Sequence, residues 1–201
     1  MKKGLLIVLS GPSGAGKGTV YNAVTERMPE LKKSISVTTR APRPGEIDGV
    51  HYYFRTVKEY GIMKERGEFL ETAEVYKNFY GTPQAPVFAM LEKGEDVFFE
   101  IDIQGAKQIK AKYPECVSVF IMPPSFEILE QRLRGRGTED ENSLLTRIGS
   151  ARGELAQYKN FDYIVFNDNV TSATQNVINI IEAERCNILR NEKKILKMLE
   201  N

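Results

Sequence analysis

The stretch SGPSGAGKGTV, residues 10–20, sets four glycines, a lysine and a threonine directly after the apolar run GLLIVL. Glycines at 11, 14 and 16 permit backbone conformations in which successive N–H groups converge on one anion, and a helix starting just beyond adds the positive end of its dipole. Lys17 then reaches the outer oxygens of a polyphosphate. An ordinary glycine-rich turn has the same composition, but the position between an apolar run and the helical stretch VYNAVTERM favours phosphate binding. The usual pattern, G-x-x-x-x-G-K-[ST], places a hydroxyl directly after the lysine. Here Gly18 stands there and Thr19 follows one place late. With no side chain at 18, a metal ion depends on nucleotide oxygens, water and an acidic strand end, and Thr19 turns to an inner phosphate.

Further chemistry-bearing residues follow in order. Arg40 and Arg43 in TTRAPRPGE flank Pro42, which restricts the backbone between them, so two guanidinium groups can clamp one phosphate. Tyr52 and Tyr80 can add phenolic hydrogen bonds. Arg132 and Arg136, one helical turn apart, and Arg147 form a third cationic group. By spacing alone they read as surface partners of Glu127 and Glu130; beside two anion sites they suit charge developing on a transferred phosphoryl group. Asp102, at the end of VFFEID, is placed to hold Mg2+ through water, and Glu100 lies two residues earlier on the same strand face. Glu71 in EFLETAE is a candidate base reader, because a carboxylate accepts together from the N1–H and N2 amino group of guanine. The hydroxyls of Ser36 and Thr82 suit the O6 side. On its own, Glu71 reads by default as an exposed strand glutamate.

These residues need elements to position them. Short apolar runs at residues 5–9, 97–101, 117–122 and 163–166, separated by stretches with helical spacing, predict a parallel sheet covered on both faces. Ligands bind at the carboxyl ends of such strands, where the glycine loop, Glu100 with Asp102, and Asn167 with Asp168 all fall. Residues 34–80, rich in Thr, Tyr, Pro and Gly with a candidate helix near 57–66, read as an inserted α+β lobe. A second departure around LEQRLRGRGTEDENSLL, with a capping box at Thr138 and Glu141 and hinges at Gly135 and Gly137, reads as a helical lid. From 174 to 199 one helix is expected, with Ile181, Ile188 and Ile195 on one face and its last turns protruding.

Composition narrows the classes. The chain has 201 residues, 41% hydrophobic and 27% charged, enough for one domain with inserted subdomains. Lys+Arg 28 against Asp+Glu 27 leaves a net charge of +1, no footprint for nucleic acid polymer or an anionic membrane. Two separated cysteines and one histidine support neither a disulfide framework nor zinc, and leave no imidazole base for a Ser-His-Asp or Cys-His hydrolase. The first apolar run is too short to span a bilayer, and MKKG does not open a signal peptide. A cytoplasmic protein is expected.

With the glycine loop, TTRAPRPGE, GxxYYF, FLE, YG[ST], EIDIQG, RLRGRGTE and Arg147 all in order, the chain resembles the guanylate kinase family over about residues 5–183. The resemblance implies an α/β fold of the P-loop NTPase type: a three-layer core (1–34, 83–125 and 156–201) on a five-stranded parallel sheet, an inserted GMP-binding lobe (35–82) and a helical lid (126–155). It implies Mg2+-dependent transfer of the ATP γ-phosphoryl group to GMP, and to dGMP, in purine nucleotide metabolism. For ATP it implies Ser13, Gly14, Ala15, Gly16, Lys17, Gly18, Thr19, Arg136 and Asn167, the last near the adenine. For GMP it implies Ser36, Arg40, Arg43, Tyr52, Glu71, Tyr80, Thr82, Glu100 and Asp102. Lys17, Arg40, Arg43, Arg136 and Arg147 are the implied catalytic cations. Glu100 stands where some members have aspartate, Thr82 where some have serine, and Gly18 replaces the serine of many. ATP and GMP are the expected partners of a monomer or homodimer. The alternatives are a family-like protein-binding module without catalysis and a kinase of another nucleoside monophosphate.

Overall fold

The structure, a computed structural model, describes residues 3–75, 77–135 and 141–200, with side chains described throughout these except at 141–147, 193 and 194. The apolar run after Gly4 forms β1 (Leu6–Ser10), buried at every position, as a strand covered on both faces must be. The glycine loop follows and opens α1 (Lys17–Arg27). The chain then builds β2 (Val37–Thr38), β3 (Tyr53–Phe54), α2 (Val57–Glu65), β4 (Phe69–Val75) and β5 (Asn78–Pro83). It continues through α3 (Gln84–Glu92), β6 (Val97–Glu100), α4 (Ile103–Lys112) and β7 (Val117–Met122). The helices α5 (Phe126–Arg134) and α6 (Glu141–Leu155) come next, then a 3-10 turn (Ala156–Asn160), β8 (Tyr163–Phe166), α7 (Val170–Arg185) and α8 (Ile188–Leu199).

Strands β6, β1, β7 and β8 pair in that order, all parallel, with Leu6 opposite Val97, Ile7 opposite Val117 and Val119 opposite Tyr163. Alternate residues of β1 feed two cores. Leu5, Ile7 and Leu9 pack with Val20 and Val24 of α1 and Val177 and Ile181 of α7, whereas Leu6 and Val8 pack with Val87, Leu91, Ala106 and Ile109 of α3 and α4. The result is three layers. The loop after β1 emerges where one neighbouring strand, β6, precedes the crossover and the other, β7, follows it, so it lies at a topological switch point of the sheet.

The expected fifth parallel strand is reduced to one bridge, Lys32 opposite Val97. The Lys32 N–H donates to Asp96 O and Lys32 O accepts from Phe98 N–H, and the ladder ends there. Beyond Lys32 the chain leaves this sheet and enters the second one at Val37. This second sheet, in the order β3-β2-β5-β4, is antiparallel except for β2–β3. It packs Val37, Tyr60 and Phe69 into its own small core, with Tyr60 stacked on Phe69 and Phe79 at 4.9 and 5.4 Å. The helix α2 starts at a reciprocal capping box, Thr56 with Glu59. Leu129, Leu133 and Ala151 join α5 to α6. Thr138 of the expected capping box, together with Gly137, lies outside the described residues.

The single C-terminal helix is also corrected. It breaks at Cys186 and Asn187, because the Asn187 side chain accepts from the Leu189 N–H and caps a new helix. Ile181 is therefore fully buried while Ile188 is 74% exposed, and the seven-residue stripe does not form one face.

Candidate active site

In the glycine loop, Gly16 is the N-cap of α1 with φ 89°, and no side chain caps the helix. The first-turn N–H groups are thus left to an anion. A Cβ on Gly16 would be strained at this φ and would also lie 2.4 Å from Asn167 Nδ2. The loop is held from outside by that same amide: Asn167, 3% exposed, donates to Ala15 O at 2.8 Å. Arg132 reaches the same carbonyl at 3.4 Å and Asn167 O at 3.3 Å. It is therefore bound to the loop rather than to surface acids, while Arg134 takes the ion pair with Glu130 at 2.8 Å. Asn167 Oδ1 is buried and finds no partner among the described residues. Lys17 folds back, donating from Nζ to Gly11 O (2.8 Å) and Pro12 O (3.1 Å). The Ser13 N–H donates to Glu154 Oε2 of α6 at 3.1 Å, a carboxylate resting on the anion-binding loop.

A cavity of about 540 Å³ opens beside the loop, lined by Gly11, Ser13, Lys17, Asp102, Gln104 and Glu154 among others. Asp102 caps α4, its Oδ1 accepting from the Gly105 N–H at 2.7 Å. Glu100 ends β6 exposed, its carboxylate 3.5 Å from where a Cβ on Gly18 would be. Thr19 is exposed on the first turn of α1.

The second sheet brings Arg40, Tyr52 and Tyr80 together. The Arg40 guanidinium lies over the Tyr52 ring at 5.6 Å, and the two tyrosine rings meet edge-on at 6.0 Å. Arg40 also donates to Glu46 Oε1 at 2.8 Å, and the Arg43 N–H donates to Glu46 Oε2 at 2.7 Å. Those two donors hold the Glu46 carboxyl down at about 2, and Glu46 in turn raises the Arg40 pKa. Arg43 is exposed, and Ser36 lies one residue before β2, where its carbonyl accepts from the Tyr53 N–H.

Glu71 is not an exposed strand glutamate. It is 7% exposed, and its Oε1 accepts from the Thr82 hydroxyl at 2.6 Å across the β4–β5 pair. Burial first, and the nearby Asp102 charge as well, push its carboxyl above the usual range despite the Thr82 bond. A Cβ on Gly105 would be 3.3 Å from its Oε2, so Glu71 faces the start of α4 beside Asp102. Of the remaining expected residues, Arg136 and the side chain of Arg147 lie outside the described set.

A guanylate kinase family profile matches residues 3–184. The chain belongs to the guanylate kinase family. It is 50% identical over 199 residues to the guanylate kinase of Caldanaerobacter subterraneus subsp. tengcongensis, covering 99% of this chain and 97% of the relative. With the guanylate kinase of Clostridioides difficile it shares 47% over 197 residues, covering 98% and 96%. The crystal structure of guanylate kinase from Anaplasma phagocytophilum superposes with a TM-score of 0.72 at 34% identity, covering 94% of this chain and 90% of that one. Membership makes the chain a nucleoside monophosphate kinase.

Three residues at this guanylate kinase-family site carry no role in the sequence reading. Glu46 lies inside TTRAPRPGE, and its spacing of three from Arg43 is its signal. Gln108 bonds the backbone of Thr72, and its signal is that Gly105, Gln108 and Lys112 share one face of α4. Glu154 meets Ser13 across 141 positions of sequence, and no local pattern marks that pairing.

Proposed function

We propose that the chain transfers the γ-phosphoryl group of ATP to the phosphate of GMP, and of dGMP, releasing ADP and GDP or dGDP. It would act in the cytoplasm, as a monomer or homodimer, in purine nucleotide metabolism and GMP recycling. The observation that carries this reading is the buried Glu71–Thr82 pair beside Asp102, in the sheet that also carries the Arg40, Tyr52 and Tyr80 group. Guanine presents N1–H and its N2 amino group side by side to a carboxylate, whereas adenine has no such pair. In this reading residues 35–82 bind GMP, 126–155 form the lid, and 1–34, 83–125 and 156–201 form the ATP-binding core.

The ionised GMP phosphate is itself a competent nucleophile, so no general base is needed for in-line attack. The protein supplies position and charge. Loop N–H groups from Ser13 to Thr19 cradle the donor phosphates, and Lys17 moves from the Gly11 and Pro12 carbonyls to the outer ones. Arg40 and Arg43 clamp the acceptor phosphate, with Glu46 holding Arg40 in place. Tyr52, Tyr80 and Ser36 complete that clamp, and Glu100 with Asp102 lines the acceptor side. Arg136 and Arg147 cover the charge that develops during transfer, and Asn167 supports the loop near the adenine. Closure over both nucleotides excludes water and suppresses hydrolysis.

The donor set fits a magnesium ion held mainly by nucleotide oxygens and water. Among the described residues no group of three or more His, Cys, Asp or Glu residues converges, and Asp102 lines the loop cavity with Oδ1 committed to Gly105. Asp102 would hold Mg2+ through water, and the ion would supply positive charge to the phosphate oxygens.

A panel of acceptors in a coupled ADP-release assay tests the reading: GMP and dGMP are expected to turn over, AMP and UMP far less. Preference for AMP or UMP would overturn the guanine reading. Lys17→Ala is expected to lower turnover on the order of 10³-fold or more. Near-normal turnover in that variant would rule out the mechanism.

A further inference from the structure

The β4–β5 ladder shifts register between Phe69 and Glu71, so β5 alone does not set how Glu71 is presented. β4 is also the edge strand of its sheet. At Thr72, the residue after Glu71, the outward backbone groups are both taken by one side chain of α4. Gln108 Oε1 accepts from the Thr72 N–H at 3.0 Å, and Gln108 Nε2 donates to Thr72 O at 2.9 Å. The side-chain amide thereby acts as one residue of an extra strand. On the other side of the irregularity, Lys112 of α4 donates to Phe69 O. The two contacts bracket Glu71, and α4 is the helix whose N-cap is Asp102 and whose Gly105 faces the Glu71 carboxylate.

We infer that Gln108 is a positioning residue for acceptor specificity: its two bonds to Thr72 hold the Glu71 carboxylate in register with the core, and so set how strongly guanine is preferred. This rests on Glu71 being the base reader proposed above. Gln108 does not touch the acceptor in this account. It acts through the backbone of Thr72, and the chemistry of the amide is specific. A neutral amide accepts and donates at once, an ionised carboxylate only accepts and repels Thr72 O, and a protonated carboxyl again does both.

The test uses the full chain carrying Gln108→Leu, Gln108→Glu or Glu71→Gln, with kcat and KM measured for GMP, for AMP as the competing acceptor and for ATP, and thermal melting as a control. Gln108→Leu is expected to raise the GMP KM about tenfold, the scale of one or two lost hydrogen bonds, while leaving the ATP KM within about twofold. For Gln108→Glu, the GMP KM relative to wild type at the same pH is expected to be raised at pH 8 and to return toward one near pH 5.5. A loss of packing would not titrate in this way, and dividing by wild type removes the titration of Glu71 itself. If Gln108→Leu does not fold, Gln108→Glu, of nearly the same shape, carries the test alone. Unchanged GMP KM values in both Gln108 variants, with Glu71→Gln impaired, would overturn the positioning role while leaving the base reading intact. A Glu71→Gln variant with wild-type guanine preference would instead remove the base reading, and this inference with it.

Discussion

At the scale of single residues, the site combines groups whose surroundings oppose their chemistry. In the proposed role of reading guanine Glu71 must be ionised, yet burial and Asp102 favour its protonated form. A carboxyl raised in the folded state stabilises the fold fully below its unfolded value of about 4.3, and that contribution is lost as pH rises through the folded value. At pH 7.5 the ionised group is therefore a cost, and Glu71→Gln, still able to accept from Thr82, is expected to melt no lower than wild type. The same change is expected to lower kcat/KM for GMP about 10- to 100-fold, the worth of a hydrogen bond to a charged group. A melting temperature several degrees lower would contradict this account of the burial. In the wild type, the GMP KM is expected to climb as pH falls through the raised carboxyl value. Gly18 presents a second case. A Cβ there meets Glu100 oxygens at 3.5 and 3.6 Å, ordinary contact, and φ at this position is not in the left-handed region. Gly18→Ser is accordingly expected to fold and to keep turnover within about threefold, a ΔΔG below about 1 kcal/mol, as ADP release would show; a large loss would mean that the loop requires glycine at this position.

Elements are joined here by a few polar contacts of long sequence reach. α8 docks through Arg190, which donates to Glu184 Oε2 at 2.9 Å and to Glu115 O at 2.9 Å, while the Tyr163 hydroxyl donates to Glu184 Oε1. Glu184 is only 8% exposed, and its presence pushes the Tyr163 hydroxyl up to about 12. Arg190→Ala leaves that buried carboxylate with Tyr163 as its side-chain donor among the described residues. The expected cost is about 1–3 kcal/mol, discounted for the partial exposure of Arg190, at about 2–4 °C of melting temperature per kcal/mol. Unchanged melting would show that the contact contributes nothing and that α8 is held by other means. The break before α8 follows from one residue, since Asn187 caps where a helix former would have continued.

Across the whole molecule, one parallel sheet carries the glycine loop and a second, smaller sheet carries the residues proposed to bind the acceptor, with α4 bonded to β4 through Gln108 and Lys112. The small sheet has a core of its own, and Leu70 of β4 ties it to the core shared by β1, α3 and α4, so the two sheets are expected to shift relative to one another about that connection. Binding of ATP and GMP together is expected to draw them inward. Small-angle scattering should then give a smaller radius of gyration with both nucleotides, or with a dinucleotide linking them, than with neither; an unchanged radius would rule out closure of this kind. No helix among the described residues is long and apolar enough to cross a membrane.

The sequence alone determined the parts that local physics controls. Continuous apolar runs became the four parallel strands, because strands buried on both faces must be apolar throughout, as β1 and β7 are; β8, at the sheet edge, kept its apolar run while leaving Ile164 and Phe166 exposed. The order of glycines and Lys17 marked the anion loop, since backbone N–H groups converge only where the chain can take positive φ. Arg40, Tyr52 and Tyr80 could be grouped from their motifs, and the structure brings them within a few ångströms. Tertiary structure decided what depends on distant partners. It buried Glu71 against Thr82, turned Arg132 onto Ala15, set Glu154 on Ser13, and left the fifth strand as a single bridge. Periodicity reports which face of an element is apolar. It does not report which polar group, dozens of positions away, arrives to meet it.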